Sequence, residues 1–522
     1  MPRHLICYLL ILLCPILCSC GGESQNLLVF GRGADSVGLD PGLENDGESF
    51  KVCDNIYETL VTYAQESTAV RPLLAKSWDV SPDHLTWTFH LRTDVRFHDG
   101  TPFNADAMLF SLGRQFYADH PFHDVEGTFK YWKDMGMDDI VAAMEARDDS
   151  TFVIRLQEPN APFLSNLAMN FCAAVSPTAI EKYGDDFFKH PVGTGPFRFL
   201  EWRKDERLVL DANRDYWGDS PKIDRLIFKP IQEGAVRFLE LRQGVIHGLD
   251  NLSPEYIDEI RSHPDLELLT QPGMNVGYLA MNMDKPPFDQ QLVRLAVNHA
   301  VNKQSLVDNF YQGLAVPAKN PIPPTMWGYA DDIPPYEHDL DKARELLRRA
   351  GFPDGFDTEL WTMTGPRPYM PQPDKIAQAV QADLKAVGIR AQLVQWEWGT
   401  YLDKVFNGEH PMALLGWIGD NGDPDNFLYV LLDKITAQTK PSQNVAFYRS
   451  DELHEVLVAA RHSIDQEERI DLYHQAQEII HRDAPWVPLV HVTQTAAFRK
   501  DVRGFKLHPT GSKWFHPVFF AR

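Results

Sequence analysis

Gly416-Trp417-Ile418-Gly419-Asp420-Asn421-Gly422-Asp423-Pro424-Asp425-Asn426-Phe427 follows an apolar run, Met412 to Leu415. The run reads as a short buried strand, and the stretch after it has loop composition, with three Asp, two Asn, two Gly and a Pro held between Trp417 and Phe427. A strand therefore delivers a turn crowded with acceptors. Turns of this kind are common on solvated surfaces, but here a large aromatic stands at the strand end. An aromatic beside a carboxylate suits a ligand with an apolar body and a cationic end.

Strands and helices alternate around this stretch. From Gly273-Met274-Asn275-Val276-Gly277 onward, Val293, Ala296, Val297, Ala300 and Val301 form an apolar stripe at helical spacing, as do Ala343, Leu346, Leu347 and Ala350, with Gly351 where a C-terminal cap belongs. Ile376, Val380, Leu384 and Val387 form another helical face that Gly388 ends, and Ile389, Ala391 and Leu393 then alternate as a strand. Asp465 with Glu468 reads as a capping box opening a helix to about Arg482. Such alternation builds an α/β lobe. Upstream, Leu27 to Phe30 reads as a first strand, Val52, Ile56 and Leu60 predict a helix from Phe50 to about Thr62, and Leu85, Trp87, Phe89 and Leu91 alternate as a half-buried strand. At 522 residues the chain is too long for one core, so at least two lobes are expected. The texture changes near Gly273 and again near His491, after which short strand-like pieces return.

The net charge of −23, with no basic run, argues against nucleic acid and anionic membrane surfaces. Arg3 and His4 precede an apolar run from Leu5 to Leu17 that is too short to span a bilayer, and Leu17-Cys18-Ser19-Cys20 reads as a lipobox. Residues 1–19 are then a lipoprotein signal peptide, Cys20 the lipidated first residue, and 20–26 a linker. The mature chain is expected to be exported, in the periplasm or cell envelope, with lipid as its only membrane anchor. That leaves Cys53 and Cys172 in the folded body, where a disulfide and two buried thiols are both open.

Catalytic and metal signatures are missing. The glycines at Gly31-Arg32-Gly33 lack the endings and spacing of phosphate-binding loops, and there is no Gly-x-Ser-x-Gly elbow or His-Glu-x-x-His helix. His84, His90 and His98 lie in strand and turn without an acidic or Cys partner at ligand spacing, so structural roles are expected. We expect no enzyme, no cofactor and no metal.

The whole mature chain resembles the family 5 extracellular solute-binding proteins of ABC importers. The resemblance is carried by Leu74-Ala75-Lys76-Ser77-Trp78, Val95-Arg96-Phe97-His98-Asp99-Gly100-Thr101-Pro102, Gly193-Thr194-Gly195-Pro196-Phe197, Asn213-Arg214-Asp215-Tyr216-Trp217-Gly218 and the Trp417–Phe427 loop. It implies an α/β, two-lobed periplasmic-binding-protein fold (class II, cluster C type): lobe I over 27–272 with an extra subdomain at roughly 60–190, lobe II over 273–490, and a return to lobe I over 491–522. Within the family the loop is similar to that of the dipeptide binders. The likeness puts Asp420 on the ligand's α-ammonium and Arg367, in Trp361-Thr362-Met363-Thr364-Gly365-Pro366-Arg367-Pro368-Tyr369, on its carboxylate. Trp417 and Tyr369 flank them, and Gly47 falls on a lobe I segment that reaches ligand. Trp396 and Trp398 either line the pocket or belong to the core of the strand that carries them, and core is the favoured reading. The implied function is capture of dipeptides or short oligopeptides by a monomer that delivers them to ABC permease subunits. Haem, a nickel chelate, glutathione and peptide sensing are the alternatives on the same fold.

Overall fold

The computed structural model describes residues 26–124, 129–438 and 440–521; the expected signal peptide and Cys20 lie outside the described residues. Two large sheets organise the chain. The first runs, strand by strand, Leu266–Gln271, Gln494–Arg499, Gly248–Asp250, Leu27–Arg32, Arg225–Pro230, Arg207–Ala212 and Phe197–Arg203. Leu27–Arg32 lies in its middle and pairs in parallel with both neighbours, and Phe30, Phe228, Phe498 and Phe515 pack their rings beneath it.

The second sheet runs Ala315–Pro317, Trp486–Val492, Asn275–Met281, Met412–Ile418, Phe356–Met363 and Ile389–Trp396. Every residue of Asn275–Met281 and of Trp486–Val492 is buried, because helices cover both faces of these inner strands. The apolar stripes supply that cover: Val293, Ala296, Val297 and Ala300 on the helix Gln291–Ala300, and Ile376, Val380 and Leu384 on Pro373–Ala386, are fully buried. Gly388 ends the latter helix at φ +93°, a conformation that Cβ-bearing residues resist.

A third, antiparallel sheet of Ala75–Val80, Thr86–Leu91, Thr151–Leu156 and Val141–Asp148 lies within 75–156. Its apolar side is continuous with the second sheet's core, so that Phe89, Trp132 and Phe171 belong to one cluster with Val276, Phe427 and Leu428.

Local readings are corrected in several places. The helix expected over Phe50–Thr62 is Gly47–Ile56. Tyr57 turns extended, and the β-branched Val61 and Thr62 go into a strand, Val61–Tyr63, paired with Val70–Pro72. The strand before the acidic turn continues through Trp417 to Ile418, and Asp425, Asn426 and Phe427 already belong to a helix, Asp425–Leu432. Asp465 caps Gln466–Asp483 as expected, but Glu468 accepts from the Ser463 hydroxyl instead of closing the box. Cys53 and Cys172 are free, buried thiols. The three histidines are spread out: His84 sits in a turn, His90 pairs with Asp79, and buried His98 meets Gly195 O at 2.9 Å.

The chain passes between the large sheets twice, in the gap between Gln271 and Asn275 and at Thr493. Strand pairing in the second sheet persists to Val492, and pairing in the first resumes at Gln494. The passages are tied to each other. Asn275 Nδ2 donates to Val492 O at 2.7 Å, Val492 N–H donates to Asn275 Oδ1 at 2.8 Å, and His491 Nδ1 donates to Asn275 O at 2.8 Å. They lie so close that a Cβ on Gly273 would sit 2.1 Å from Val492 O. Asn275 is only 3% exposed, so Asn275→Ala leaves two backbone groups without their partner in a dry setting. A loss of roughly 2–4 kcal/mol is expected, read as a lower urea midpoint with an unchanged slope.

Candidate functional site

A cavity of about 1250 Å³ opens between the sheets, and its wall includes Gly47, Arg367, Tyr369, Trp417 and Asp420, all five residues singled out in the sequence. Four come from adjacent parts of the second sheet. The strand Met412–Ile418 carries Trp417 to its end and releases Asp420 two residues later. The neighbouring strand Phe356–Met363 opens into the loop that holds Arg367 and Tyr369, where the Arg367 and Met370 backbones exchange hydrogen bonds of 3.0 and 2.9 Å.

Tyr369 seats that loop. Its ring lies flat enough on Gly416 that a Cβ there would meet ring carbons at 2.4 Å, and its carbonyl accepts from Tyr311 Oη at 3.1 Å. Gly416 is thus required by the tyrosine packed over it, and the two loops are held against each other. Trp417 acts similarly on the other side: its Nε1–H donates to Asn426 Oδ1 at 3.0 Å, which also accepts the Asp420 backbone N–H at 3.0 Å. Asn426 Nδ2 lies 3.3 Å from Asp420 Oδ2. One asparagine at the helix start therefore fixes both the tryptophan and the carboxylate.

The charges differ in how they are satisfied. Of the acids in the loop, Asp423 pairs with Arg469 at 2.7 Å and Asp425 with Arg461 at 3.1 Å. Asp420 has no ion pair among the described residues. It accepts from Asn426 and from Tyr131 Oη at 3.1 Å, yet burial pushes its carboxyl up to about 7. Arg367 is likewise without an acid partner within ion-pair distance among the described residues. Its Nε is buried and unpartnered, and burial pulls its pKa down against the weaker pull of Tyr369 and Glu397. Its guanidinium lies 3.8 Å over the Trp398 ring. Trp398 therefore lines the cavity while also packing against the core, the less favoured of the two sequence readings; Trp396 packs against Trp361.

The opposite wall mixes paired and unpaired charge: Glu58 accepts from Thr194 Oγ1, Tyr216 Oη and Trp217 Nε1 but has no ion pair among the described residues, and burial pushes its carboxyl up to about 7. Lys51 Nζ sits between Glu48 Oε1 at 2.7 Å and Asp250 Oδ2 at 2.8 Å. Gly47, exposed at the first turn of its helix, faces open space, since a Cβ there would meet nothing within 4 Å. Asp46 caps that helix, accepting from Glu48 N and Ser49 N at 3.0 and 2.9 Å.

Sequence reasoning missed Tyr131, Phe50 and Asn426 as parts of this site. Tyr131 comes from a short helix, Lys130–Asp134, with no motif around it. Asn426 stood in the quoted loop, and its six-residue spacing from Asp420, closed by a turn into a helix, was the available signal. Further contacts bind the loop to the 60–170 segment: Asn421 Nδ2 donates to Asn166 Oδ1 at 2.7 Å, and a Cβ on Gly422 would collide with Thr68.

The family model of bacterial extracellular solute-binding proteins, family 5, matches residues 69–438. A dipeptide-binding protein of Escherichia coli is 37% identical over 508 residues, covering 94% of this chain and 94% of that one. Heme-binding protein A of Haemophilus influenzae is 36% identical over 515 residues, covering 95% and 92%. Among solved structures, an ABC transporter-associated periplasmic binding protein from Helicobacter pylori, in complex with the peptide STSA, superposes with a TM-score of 0.87 at 40% identity over 95% of this chain and 98% of that one. The chain belongs to the bacterial extracellular solute-binding proteins of family 5.

Proposed function

We propose that this protein captures dipeptides, and short oligopeptides more weakly, in the cavity between its two sheets and hands them to the membrane subunits of an ABC importer. The observation that carries the reading is the pair of unmatched charges. A carboxylate and a guanidinium, both drawn out of water and both without a counter-ion among the described residues, stand in one cavity. An isolated buried charge is expensive, so a ligand bearing the complementary pair relieves both at once. A zwitterionic peptide has that pair: its α-ammonium goes to Asp420 and its carboxylate to Arg367, whose planar fork meets it with two parallel hydrogen bonds. Trp417 and Tyr369 flank the ligand, and Gly47 leaves room for it on the facing wall. The names of the relatives at 36–37% identity favour peptide and leave haem as the second reading.

Lobe I then spans 27–272 with an inserted subdomain at roughly 60–190, lobe II spans 273–490, and 491–522 returns to lobe I. The changes of sheet at 272–274 and at Thr493 support this division and make them the hinges. Binding without chemical change needs no nucleophile or base, so we assign no enzyme activity and no cofactor. We take the chain to act as a monomer, exported and tethered to a membrane by lipid on Cys20. No helix among the described residues is long and apolar enough to cross a membrane.

Titration calorimetry with an apolar dipeptide, its N-acetyl and C-amide forms and a tetrapeptide tests the clamp. Each blocked form, and each of Asp420→Ala and Arg367→Ala, is expected to lose roughly 2–5 kcal/mol, and the tetrapeptide to bind more weakly than the free dipeptide. Blocked forms binding as tightly as the free peptide would remove the clamp and bring haem, a nickel chelate or glutathione forward.

Proton release gives a second check. With the unliganded carboxyl near 7 and the liganded one lowered by the ammonium, binding releases a proton from the protonated fraction, about half a proton at pH 7. Affinity therefore falls as pH drops below 7, approaching tenfold per pH unit. Calorimetry in buffers of different ionisation enthalpy measures the release, and Asp420→Asn abolishes it. Fractionation without detergent tests the tether: Cys20→Ala is expected in the soluble fraction.

A further inference from the structure

We propose that Tyr131 is a closing latch, a hydroxyl brought from the 60–190 segment to the Asp420 carboxylate so that the ligand's cationic end and the approach of the two lobes become one event. The proposal rests on the reading of Asp420 as the ammonium site. Tyr131 Oη lies 3.1 Å from Asp420 Oδ1, whereas Asn426, from the same side of the cleft as Asp420, holds Oδ2. The two oxygens are thus divided between the lobes. Phe50 meets the Tyr131 ring edge to face at 5.5 Å, and Phe171 approaches at 6.1 Å, so the phenol is aimed by packed aromatics and not by chance on a surface. Burial keeps the phenol protonated, so it donates and the carboxylate accepts.

A hydroxyl bound to an ionised carboxylate is held about twice as strongly as one bound to a neutral acid. In a closed cleft without a cation, Asp420 either stays charged and unpaired or takes up a proton, and in both cases the closed form is weakened. A ligand ammonium holds the carboxylate ionised at neutral pH, and the Tyr131 bond then reaches its full strength. The latch therefore reports charge. A ligand that fills the cavity without an ammonium closes the lobes over a weak bond. The remaining bridges, such as Asn421 Nδ2 to Asn166 Oδ1 at 2.7 Å, carry no such dependence because both partners are neutral.

The test measures the affinities of a free dipeptide and its N-acetyl form on the wild type, Tyr131→Phe and Asn166→Ala. In the wild type the free form binds more tightly; in Tyr131→Phe that preference is expected to shrink about tenfold, while Asn166→Ala weakens both ligands alike. The ratio is internal to each variant, so a general loss of stability leaves it unmoved. Scattering on the same samples is expected to show less compaction of Tyr131→Phe with free dipeptide than of the wild type. An undiminished preference in Tyr131→Phe, or an equal shrinkage in Asn166→Ala, overturns the latch while leaving the clamp standing. A wild type indifferent to N-acetylation overturns the reading of Asp420 itself, and the latch with it.

Discussion

The carboxylate of Asp420 is taken out of water with two neutral donors and no cation, and the design of the cleft follows from that one shortage. A fold optimised only for stability would match the charge, as this chain does at Asp423 with Arg469 and at Asp425 with Arg461 a few residues away. The three acids share one loop and nearly one sequence environment. What separates them is direction: two turn back onto the helices Asp451–His462 and Gln466–Asp483, and the first faces the cavity. Energy withheld from folding is in this way left available for binding.

Holding such a charge in place demands rigidity from neutral groups. Asn426 takes that role for Asp420, gripping its backbone and side chain while anchoring Trp417. Tyr369 and Trp398 take it for Arg367. The tyrosine presses its loop onto Gly416, and the indole stacks under the guanidinium without neutralising it. A cation–π contact suits this purpose better than an ion pair, since it orients the arginine and leaves its hydrogen-bonding edge free. Both charged residues thus follow neighbouring strands of a single sheet, on loops packed against each other, so their spacing is set within that sheet's side of the cavity.

Helix and strand alternation was legible because each apolar face packs on its own sheet: Val293, Ala296 and Val297, or Ile376, Val380 and Leu384, need nothing distant to explain them. The helix over-extended to Thr62 shows the limit. Leu60 fits the helical stripe and is indeed buried, but it is buried by the strand that Val61 and Thr62 prefer, an outcome set by pairing with Val70–Pro72. Asp420, Arg367, Trp417 and Tyr369 could be singled out because they belong to stretches with a recognisable pattern, and all four line one cavity. Trp398 was ambiguous because an aromatic after a strand has the same local signature whether it faces core or cavity. Tyr131 had no signature at all, since its role exists only through a partner 289 residues away.

The division of labour between the lobes follows from these placements. If each lobe supplied one end of a charge clamp, closure would set the ligand's length, and a wrong ligand would be refused only by incomplete closure. With both ends on one sheet, length is measured in the open form, before the lobes meet, and the second wall has a different task. There Lys51 is paired with Glu48 and Asp250, and Glu58 is held by three neutral donors, which leaves that wall to cover varied side chains. A lobe that offers Asp420 only a neutral donor gains little by closing on an empty cleft, where that carboxylate would be desolvated for one hydroxyl. Differential affinity is the sole source of a population shift. On the reading proposed above, that difference comes from the charge state of Asp420, across the cavity from Tyr131.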